Sequence, residues 1–267
     1  MFGSLLVIFV LALISSLTSL PSLGVFSERS EPTWHKGADI GAKVDEDIAI
    51  VKGLRRLKDL GFHPKHVLDV GANVGAWSRV VKLVYPDTEV YMIEGSQSCA
   101  PSLNNTGNWY TISLVGKENS EVEFFERPKG TGNSIFKENS KYFSSIRPVL
   151  RPIRTLDLLM SDQPPVQMLK LDIQGAELDA LKGSHRILKG VEVVVLEISI
   201  LEYNQGAPLA LDTLAYLNEL GFDMLDLLDF HHLGSDKNSF IFQIDVVLAR
   251  KNSSLFKRKE KYLNSKK

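Results

Sequence analysis

The feature that most restricts the fold is a short apolar run that ends in a glycine-bearing turn. Residues 66–70 (His-Val-Leu-Asp-Val) have the character of a buried strand, and the turn 71–75 (Gly-Ala-Asn-Val-Gly) leads into a helical pattern through Val84. Gly71 and Gly75 permit backbone conformations and a close ligand approach that a Cβ would block. The following helix offers free N–H groups at its N-terminus. The pattern predicts a strand–turn–helix unit that binds a ligand.

Apolar runs and helical patterns alternate along the rest of the chain, which is typical of an α/β fold with a parallel sheet and helices on both faces. We expect seven strands, at residues 66–70, 89–93, 110–115, 168–172, 191–198, 222–228 and 240–249. The last two can pair as a terminal hairpin. Residues 117–150 form an inserted segment between the third and fourth strands.

Two carboxylates indicate which nucleotide the turn binds. Glu94 ends the second strand, where an acid can chelate two ribose hydroxyls. The dinucleotide fingerprint needs glycine where Asn73 and Ala76 stand, and the phosphate-binding loop sequence does not occur. Asp69 would repel a pyrophosphate, so S-adenosylmethionine, a cation with a ribose, fits better. A purely structural alternative is that Asp69 caps the turn and Glu94 caps a helix. The expected cofactor-binding residues are Asp69, Gly71, Asn73, Gly75, Glu94 and, for the adenine side, Ser113.

Several sequence blocks together resemble the FkbM-type methyltransferases. Besides residues 67–75 and Glu94, these blocks are Arg-Thr-Leu-Asp at 154–157, Leu-Lys-Leu-Asp-Ile-Gln-Gly-Ala-Glu at 169–177, Leu-Lys-Gly at 181–183 and Val-Val-Leu-Glu at 194–197. The resemblance implies a Rossmann-like methyltransferase sheet with an antiparallel last strand. It also implies an S-adenosylmethionine-dependent enzyme that methylates hydroxyl oxygens, often on sugars or polyketides. The chain departs from the family at residues 94–96, where the family commonly has a proline close behind the acid.

Three acidic residues are candidates for catalysis, because ligands of such sheets bind outside the carboxyl ends of the strands. Asp172 ends the fourth strand, Glu197 lies near the end of the fifth, and Glu177 follows in the next helix. Methylation of an alcohol calls for a base, and Asp172 is the first candidate for a base or acceptor-orienting group, followed by Glu197. Alternatively, Asp172 caps the helix and Glu177 complements its dipole.

Other residues receive structural interpretations. His231 and His232 are expected in the hairpin loop as a solvated pair. Contact with the acceptor and, less favoured, with a divalent metal are the alternatives, but no third ligand has the spacing of a metal site, so no metal is predicted. Cys99 is the single cysteine, which excludes an intramolecular disulfide. Lys170 is expected only to line the sheet. The glycine-bearing turn at 130–134 is a candidate lid over the acceptor.

The two ends of the chain are expected to lie outside the methyltransferase domain, which we place at residues 46–250. Leu5 to Ile14 is an unbroken apolar run of ten residues, the length of a signal-peptide core rather than of a span. Residues 1–24 are therefore a cleaved signal for the secretory pathway or, if extended, a membrane anchor that keeps the domain cytosolic. Residues 25–45 resemble a stem or linker, and 251–267 a basic disordered tail.

Charge and composition limit the partners. The chain has 31 Lys and Arg against 32 Asp and Glu, which gives no electrostatic case for nucleic acid. We expect a hydroxyl-bearing small molecule or glycan as acceptor. A non-catalytic S-adenosylmethionine-binding scaffold remains an alternative. So does a secretory-pathway glycosyltransferase, although its D-x-D at 45–47 precedes a helix, where dipole complementation explains it.

Overall fold

The fold is built on two β-sheets in a computed structural model that describes residues 33–41, 44–45, 48–127, 131–141, 145–234 and 239–265. The strands are β1 (His35–Lys36), β2 (His66–Val70), β3 (Glu89–Glu94), β4 (Trp109–Ile112), β5 (Leu114–Val115), β6 (Ser120–Phe124), β7 (Val149–Arg154), β8 (Met168–Leu171), β9 (Val193–Ser199), β10 (Phe222–His232) and β11 (Ile241–Arg250). The α-helices are α1 (Ala49–Asp59), α2 (Ala76–Val84), α3 (Ala100–Asn104), α4 (Leu156–Leu159), α5 (Glu177–Lys182), α6 (His185–Leu188), α7 (Ala210–Glu219) and α8 (Ser254–Ser265).

The larger sheet has the strand order β1-β4-β3-β2-β8-β9-β11-β10. Five neighbouring strands in this order are parallel to one another: β4, β3, β2, β8 and β9. The strand β11 runs antiparallel to its neighbours β9 and β10. The predicted α/β fold with a mostly parallel sheet and an antiparallel last strand is confirmed. Because neighbouring parallel strands end at one edge, the turns after β2, β3, β8 and β9 meet there.

The eighth strand, β1, comes from the segment expected to be a linker. His35 and Lys36 pair with Tyr110 and Trp109 of β4, because β4 would otherwise present an unpaired edge. The neighbouring Trp34 donates from its indole nitrogen to the Leu159 carbonyl at 3.2 Å. Part of the expected stem therefore belongs to the sheet.

The inserted segment contains more regular structure than expected. The predicted strand 110–115 is divided, since β4 ends at Ile112 and Leu114–Val115 joins the smaller sheet, whose order is β5-β7-β6. The strand β7, which contains Pro152 paired with Glu121 of β6, was not predicted. This small sheet lies next to the carboxyl end of β3, where Leu114 packs close to Gly95.

Alternate residues of the central strands face two hydrophobic layers. On β2, Val67 packs with α1, α2, α3 and α8, while Leu68 and Val70 pack with α4 to α7. This alternation follows from the period of two along a strand. Helices thus cover both faces and leave the edge at the strand ends open for a ligand.

The C-terminal segment differs from the predicted disordered tail. Residues 254–265 form α8, and Leu255 is buried in the layer that contains α1. The Arg258 guanidinium donates to the Leu60 carbonyl at 2.9 Å, and Lys259 donates to the Leu225 carbonyl. The partly buried Phe256 packs against the same layer, so two apolar residues in a mostly charged segment dock this helix.

The predicted signal or anchor at residues 1–24 lies outside the described residues. Among the helices of the described ranges, none combines the length and the apolar character needed to cross a membrane.

Candidate active site

The turn after β2 adopts the geometry that its glycines permit. Gly71 has φ +78°, and a Cβ added there would lie 1.8 Å from the carbonyl oxygen of Asp172. Asn73 also has a positive φ, of 48°, and Gly75 has φ +77° at the N-terminus of α2. The turns after β2 and β8 therefore touch through backbone atoms, and only glycine fits at position 71.

Glu94 connects the turns that follow β2 and β3 through hydrogen bonds to the backbone of each. Its Oε2 accepts a hydrogen bond from the Asn73 backbone N–H at 2.7 Å, and its Oε1 accepts one from the Ser96 N–H at 2.8 Å. The residue is 8% exposed, and burial raises the pKa of its carboxyl above the ordinary value. Glu94 still faces the cavity described below, as the ribose-binding prediction requires.

Asp69 lies behind the site rather than in its wall. It is fully buried, and its Oδ2 accepts a hydrogen bond from the Ser78 hydroxyl at 2.7 Å. Gly75 is also absent from the wall, because its Cα faces Thr106 and Leu103. For Asp69 the reason is that successive residues of a strand face opposite sides of the sheet, so neither of these two predicted cofactor-binding residues lines the cavity.

Lys170 connects Asp69 to the predicted catalytic carboxylate. Its Nζ lies 3.3 Å from Asp69 Oδ1 and 3.1 Å from Asp172 Oδ2, with the side chain 8% exposed. Burial alone would lower the pKa of Lys170, but the charges of Asp172 and Asp69 outweigh it and hold the pKa above the ordinary value. The sequence interpretation of Lys170 as a lining residue missed this role, although a lysine between two apolar strand residues was its signal.

Gln174 bridges the two carboxylates that were predicted as catalytic. Its Nε2 donates to Asp172 Oδ1 at 3.0 Å and to Glu197 Oε1 at 2.7 Å. The backbone of Gln174 has φ 54°, a conformation that is rare for residues with a side chain. The backbone of this loop is therefore strained at Gln174, the residue whose side chain links Asp172 and Glu197. This bridge was not predicted.

The side chain of Glu177 binds the loop before α5, and the N-cap residue of this helix is Ala176, not the predicted Asp172. The Glu177 carboxylate accepts hydrogen bonds from the Ile173 N–H at 2.8 Å and from the Gly175 N–H at 3.0 Å. Glu177 is 3% exposed and does not face the cavity, so the structure separates it from the two other predicted catalytic residues. Burial raises the pKa of its carboxyl to about 7.

His231 lies in strand β10 and not in a solvated loop, because β10 continues to His232. Its Nε2 is 2.9 Å from Asp245 Oδ2 and 3.7 Å from Glu197 Oε2. The hydrogen bond from His231 to Asp245 raises the pKa of the imidazole. Burial, followed by the charges of Asp172 and Asp245, raises the pKa of Glu197.

A cavity of about 690 Å³ lies at the carboxyl ends of the strands, and some of these groups line it. The predicted site residues in its wall are Gly71, Asn73, Glu94, Ser113, Asp172 and Glu197. Residues 131–134 of the expected lid also line it, and the Ser134 hydroxyl donates to the Gln174 carbonyl at 2.7 Å. A cavity of this size accommodates a nucleoside-sized ligand and an acceptor.

The comparison with protein families agrees with this arrangement. A family model described as the methyltransferase FkbM domain matches residues 69–224, more than half of the chain. The chain belongs to the FkbM methyltransferase family. The match contains Glu94, Asp172 and Glu197 but ends before His231 and Asp245. The cofactor that follows from this membership is S-adenosylmethionine, as predicted.

Two similar solved structures are both distant in sequence from this chain. The FkbM methyltransferase from Methylobacillus flagellatus KT is 18% identical, with a TM-score of 0.44, and the match covers 68% of this chain and 43% of that one. This chain therefore spans less than half the length of that relative. An S-adenosylmethionine-dependent methyltransferase from Clostridium acetobutylicum ATCC 824 is 9% identical, with a TM-score of 0.44 and coverage of 78% and 93%. No curated protein sequence matches the chain.

Proposed function

We propose that the protein transfers a methyl group from S-adenosylmethionine to a hydroxyl oxygen of a small-molecule or glycan acceptor. The observation that carries the proposal is the position of Glu94, a buried carboxylate in the cavity wall at the carboxyl end of β3. An acid at this place can receive both hydroxyls of a ribose.

The residues present fit this cofactor. Glu94 lies beside the Gly71 turn, and Asp172 and Glu197 face the same cavity, so carboxylates surround the space in which a cationic ligand would bind. When bound, S-adenosylmethionine supplies an activated methyl group on a sulfonium. Asn73 and Ser113 lie in the wall on the same side as Glu94 and would contact the nucleoside.

Asp172 is the residue that we assign to the acceptor hydroxyl. One of its oxygens binds Lys170 and the other binds Gln174, so the carboxylate is held in one orientation at the cavity wall. A fixed carboxylate can orient a hydroxyl and receive its proton. Glu197, held by the same Gln174 amide, is the second candidate.

Calorimetric titration of the full chain with S-adenosylhomocysteine tests the cofactor. We expect one molecule bound per chain, and we expect Asp172→Asn to retain this binding while methyl transfer falls. Retained binding without methyl transfer to any hydroxyl acceptor would favour a non-catalytic scaffold. Binding of a nucleotide-sugar with Mn²⁺, beyond that of Mn²⁺ alone, would overturn the proposal in favour of a glycosyltransferase.

The location of the protein in the cell is part of the same proposal. We infer from the apolar run at residues 5–14 that residues 1–24 direct the chain to the secretory pathway or anchor it in a membrane. The intact mass of the expressed protein tests this, because cleavage removes the mass of residues 1–24. An uncleaved chain that stays in the soluble fraction after membranes are sedimented would contradict both the cleaved signal and the membrane anchor.

A further inference from the structure

Three acids form a row across the last strands of the larger sheet. Asp245 of β11 is the register partner of Glu197 on β9 and of Asp229 on β10. Register partners place their side chains on the same face, and like charges directly opposite one another are destabilising. Asp172 adds a further acid across the Gln174 amide. Acidic side chains therefore cluster at and beside this end of the cavity.

One imidazole faces two of these carboxylates. His231 Nε2, Glu197 Oε2 and Asp245 Oδ2 approach one another, and the three side chains can offer one ligand atom each, all within 4.8 Å of one another. The three side chains are half-buried. The acids of this row, Glu197, Asp245 and Asp229, outnumber the single imidazole by three to one.

We propose that Glu197, His231 and Asp245 bind one divalent transition-metal cation, such as Mn²⁺ or Zn²⁺, at the acceptor end of the cavity. A nitrogen with two carboxylate oxygens suits such cations better than Mg²⁺, which prefers oxygen ligands only.

The distances are compatible with a coordination sphere. Metal–ligand bonds of about 2.0–2.2 Å place adjacent ligand atoms about 3 to 3.7 Å apart. The separations of 2.9 Å between His231 and Asp245 and of 3.7 Å between His231 and Glu197 agree with this. The cation would replace the direct contact between His231 Nε2 and Asp245 Oδ2.

Three protein ligands leave further coordination positions open, as in catalytic rather than structural sites. Glu197 lines the cavity together with Gln243, the register partner of His231, so an oxygen of the acceptor could occupy an open position. A cation there lowers the pKa of a bound hydroxyl, which would help a weak base such as Asp172. This use of the cation rests on the proposed methyl transfer, whereas the metal site itself does not.

The test is titration of the chelator-treated full chain with Mn²⁺ in the absence of S-adenosylmethionine, with free Mn²⁺ measured by electron paramagnetic resonance. We expect one Mn²⁺ per chain and at least about a tenfold loss of affinity in His231→Gln. The matched control is His232→Gln, since His232 is adjacent on β10 but its Nδ1 faces the Ser239 carbonyl at 2.8 Å. The control should bind as the wild type does.

Asp245→Asn removes a proposed ligand on another strand. Its Mn²⁺ affinity tests the site if His231→Gln does not fold. Circular dichroism and the melting temperature verify the fold of each variant. Equal affinity of the wild type and the folded ligand variants, or no binding up to about 1 mM Mn²⁺, would overturn the proposal. Because S-adenosylhomocysteine binding is measured separately, failure of the metal site is distinguishable from failure of the proposed methyltransferase function.

Discussion

The Gln174 amide nitrogen lies 2.7 Å from Glu197 Oε1 and joins the two sides of the cavity. Through its second bond, to Asp172, it completes a chain of charged and polar groups across the ends of five strands. In order, this chain consists of Asp69, Lys170, Asp172, Gln174, Glu197, His231 and Asp245. Buried networks of this kind respond as a unit, because each member orients the next.

Loss of the lysine in this network should destabilise the fold. Lys170→Met leaves Asp69 without its cation in a fully buried position, and removal of one partner of a buried ion pair costs about 3–5 kcal/mol. The free energy of unfolding from urea denaturation measures this. Lys189→Met, at an exposed lysine, is the control. Equal unfolding free energies in the two variants would contradict the assigned role of Lys170.

Glu94→Gln should weaken S-adenosylhomocysteine binding by about 10- to 100-fold, because a charged acceptor for ribose hydroxyls is lost at nearly constant shape. Calorimetry gives the affinity. Glu89→Gln, at the exposed start of the same strand, should bind normally. If Glu94→Gln folds and binds as the wild type does, the ribose assignment is wrong.

The strands and the glycine-bearing turn after β2 were predictable because their signals are local. The strand β2 and the Gly71 turn are contiguous in sequence, and Glu94 is identified by its place at the end of the next apolar run. The same holds for Asp172 and Glu197, which follow β8 and lie on β9. A local signal shows at which strand end a residue lies. Because the carboxyl ends of parallel strands meet at one edge of the sheet, this is enough to place these residues near one another.

The partners of these residues were not predictable because register and backbone geometry bring them together. Asp245 faces Glu197 through antiparallel pairing, and His231 reaches both after irregularities in the pairing of β10 with β11. Gln174 reaches Asp172 and Glu197 only from its positive φ. Likewise, Asp69 has the residue type of a ligand-binding acid, but the strand period directs it into the protein.

Gly71→Ala should disrupt the site and the fold together. The added Cβ would lie 1.8 Å from the Asp172 carbonyl oxygen, and φ +78° is unfavourable for alanine. We expect at least about 2 kcal/mol of destabilisation with weaker S-adenosylhomocysteine binding. Gly190→Ala, where the nearest atom is at 3.5 Å, is the matched control in urea denaturation. Unchanged stability of Gly71→Ala would show that the two turns are not in contact.

Leu255→Ala should test the docking of α8. Its side chain is 1% exposed, and truncation of a buried leucine costs about 2–5 kcal/mol. Leu263→Ala changes the same residue type at a position on the same helix that is 51% exposed, and it should cost less than about 0.5 kcal/mol. Thermal or urea unfolding compares them. A disordered tail would make the two variants equal to the wild type.

Glu177 should make the stability of the protein depend on pH near neutrality. Burial raises the pKa of its carboxyl from 4.5 to about 7 in the folded state, so the folded protein binds this proton more tightly than the unfolded chain does. Its contribution to stability is therefore full below about pH 4.5 and is lost as the pH rises through 7. The shift corresponds to about 3 kcal/mol.

Urea denaturation of the wild type and Glu177→Gln between pH 4.5 and 8 measures this contribution. We expect the wild type to lose about 3 kcal/mol more than the variant over this interval, because glutamine has no proton to release. Glu118→Gln, at an exposed acid, should follow the wild type. If the unfolding free energies of the wild type and Glu177→Gln run parallel with pH, Glu177 titrates alike in the folded and unfolded states, and its burial has no electrostatic cost.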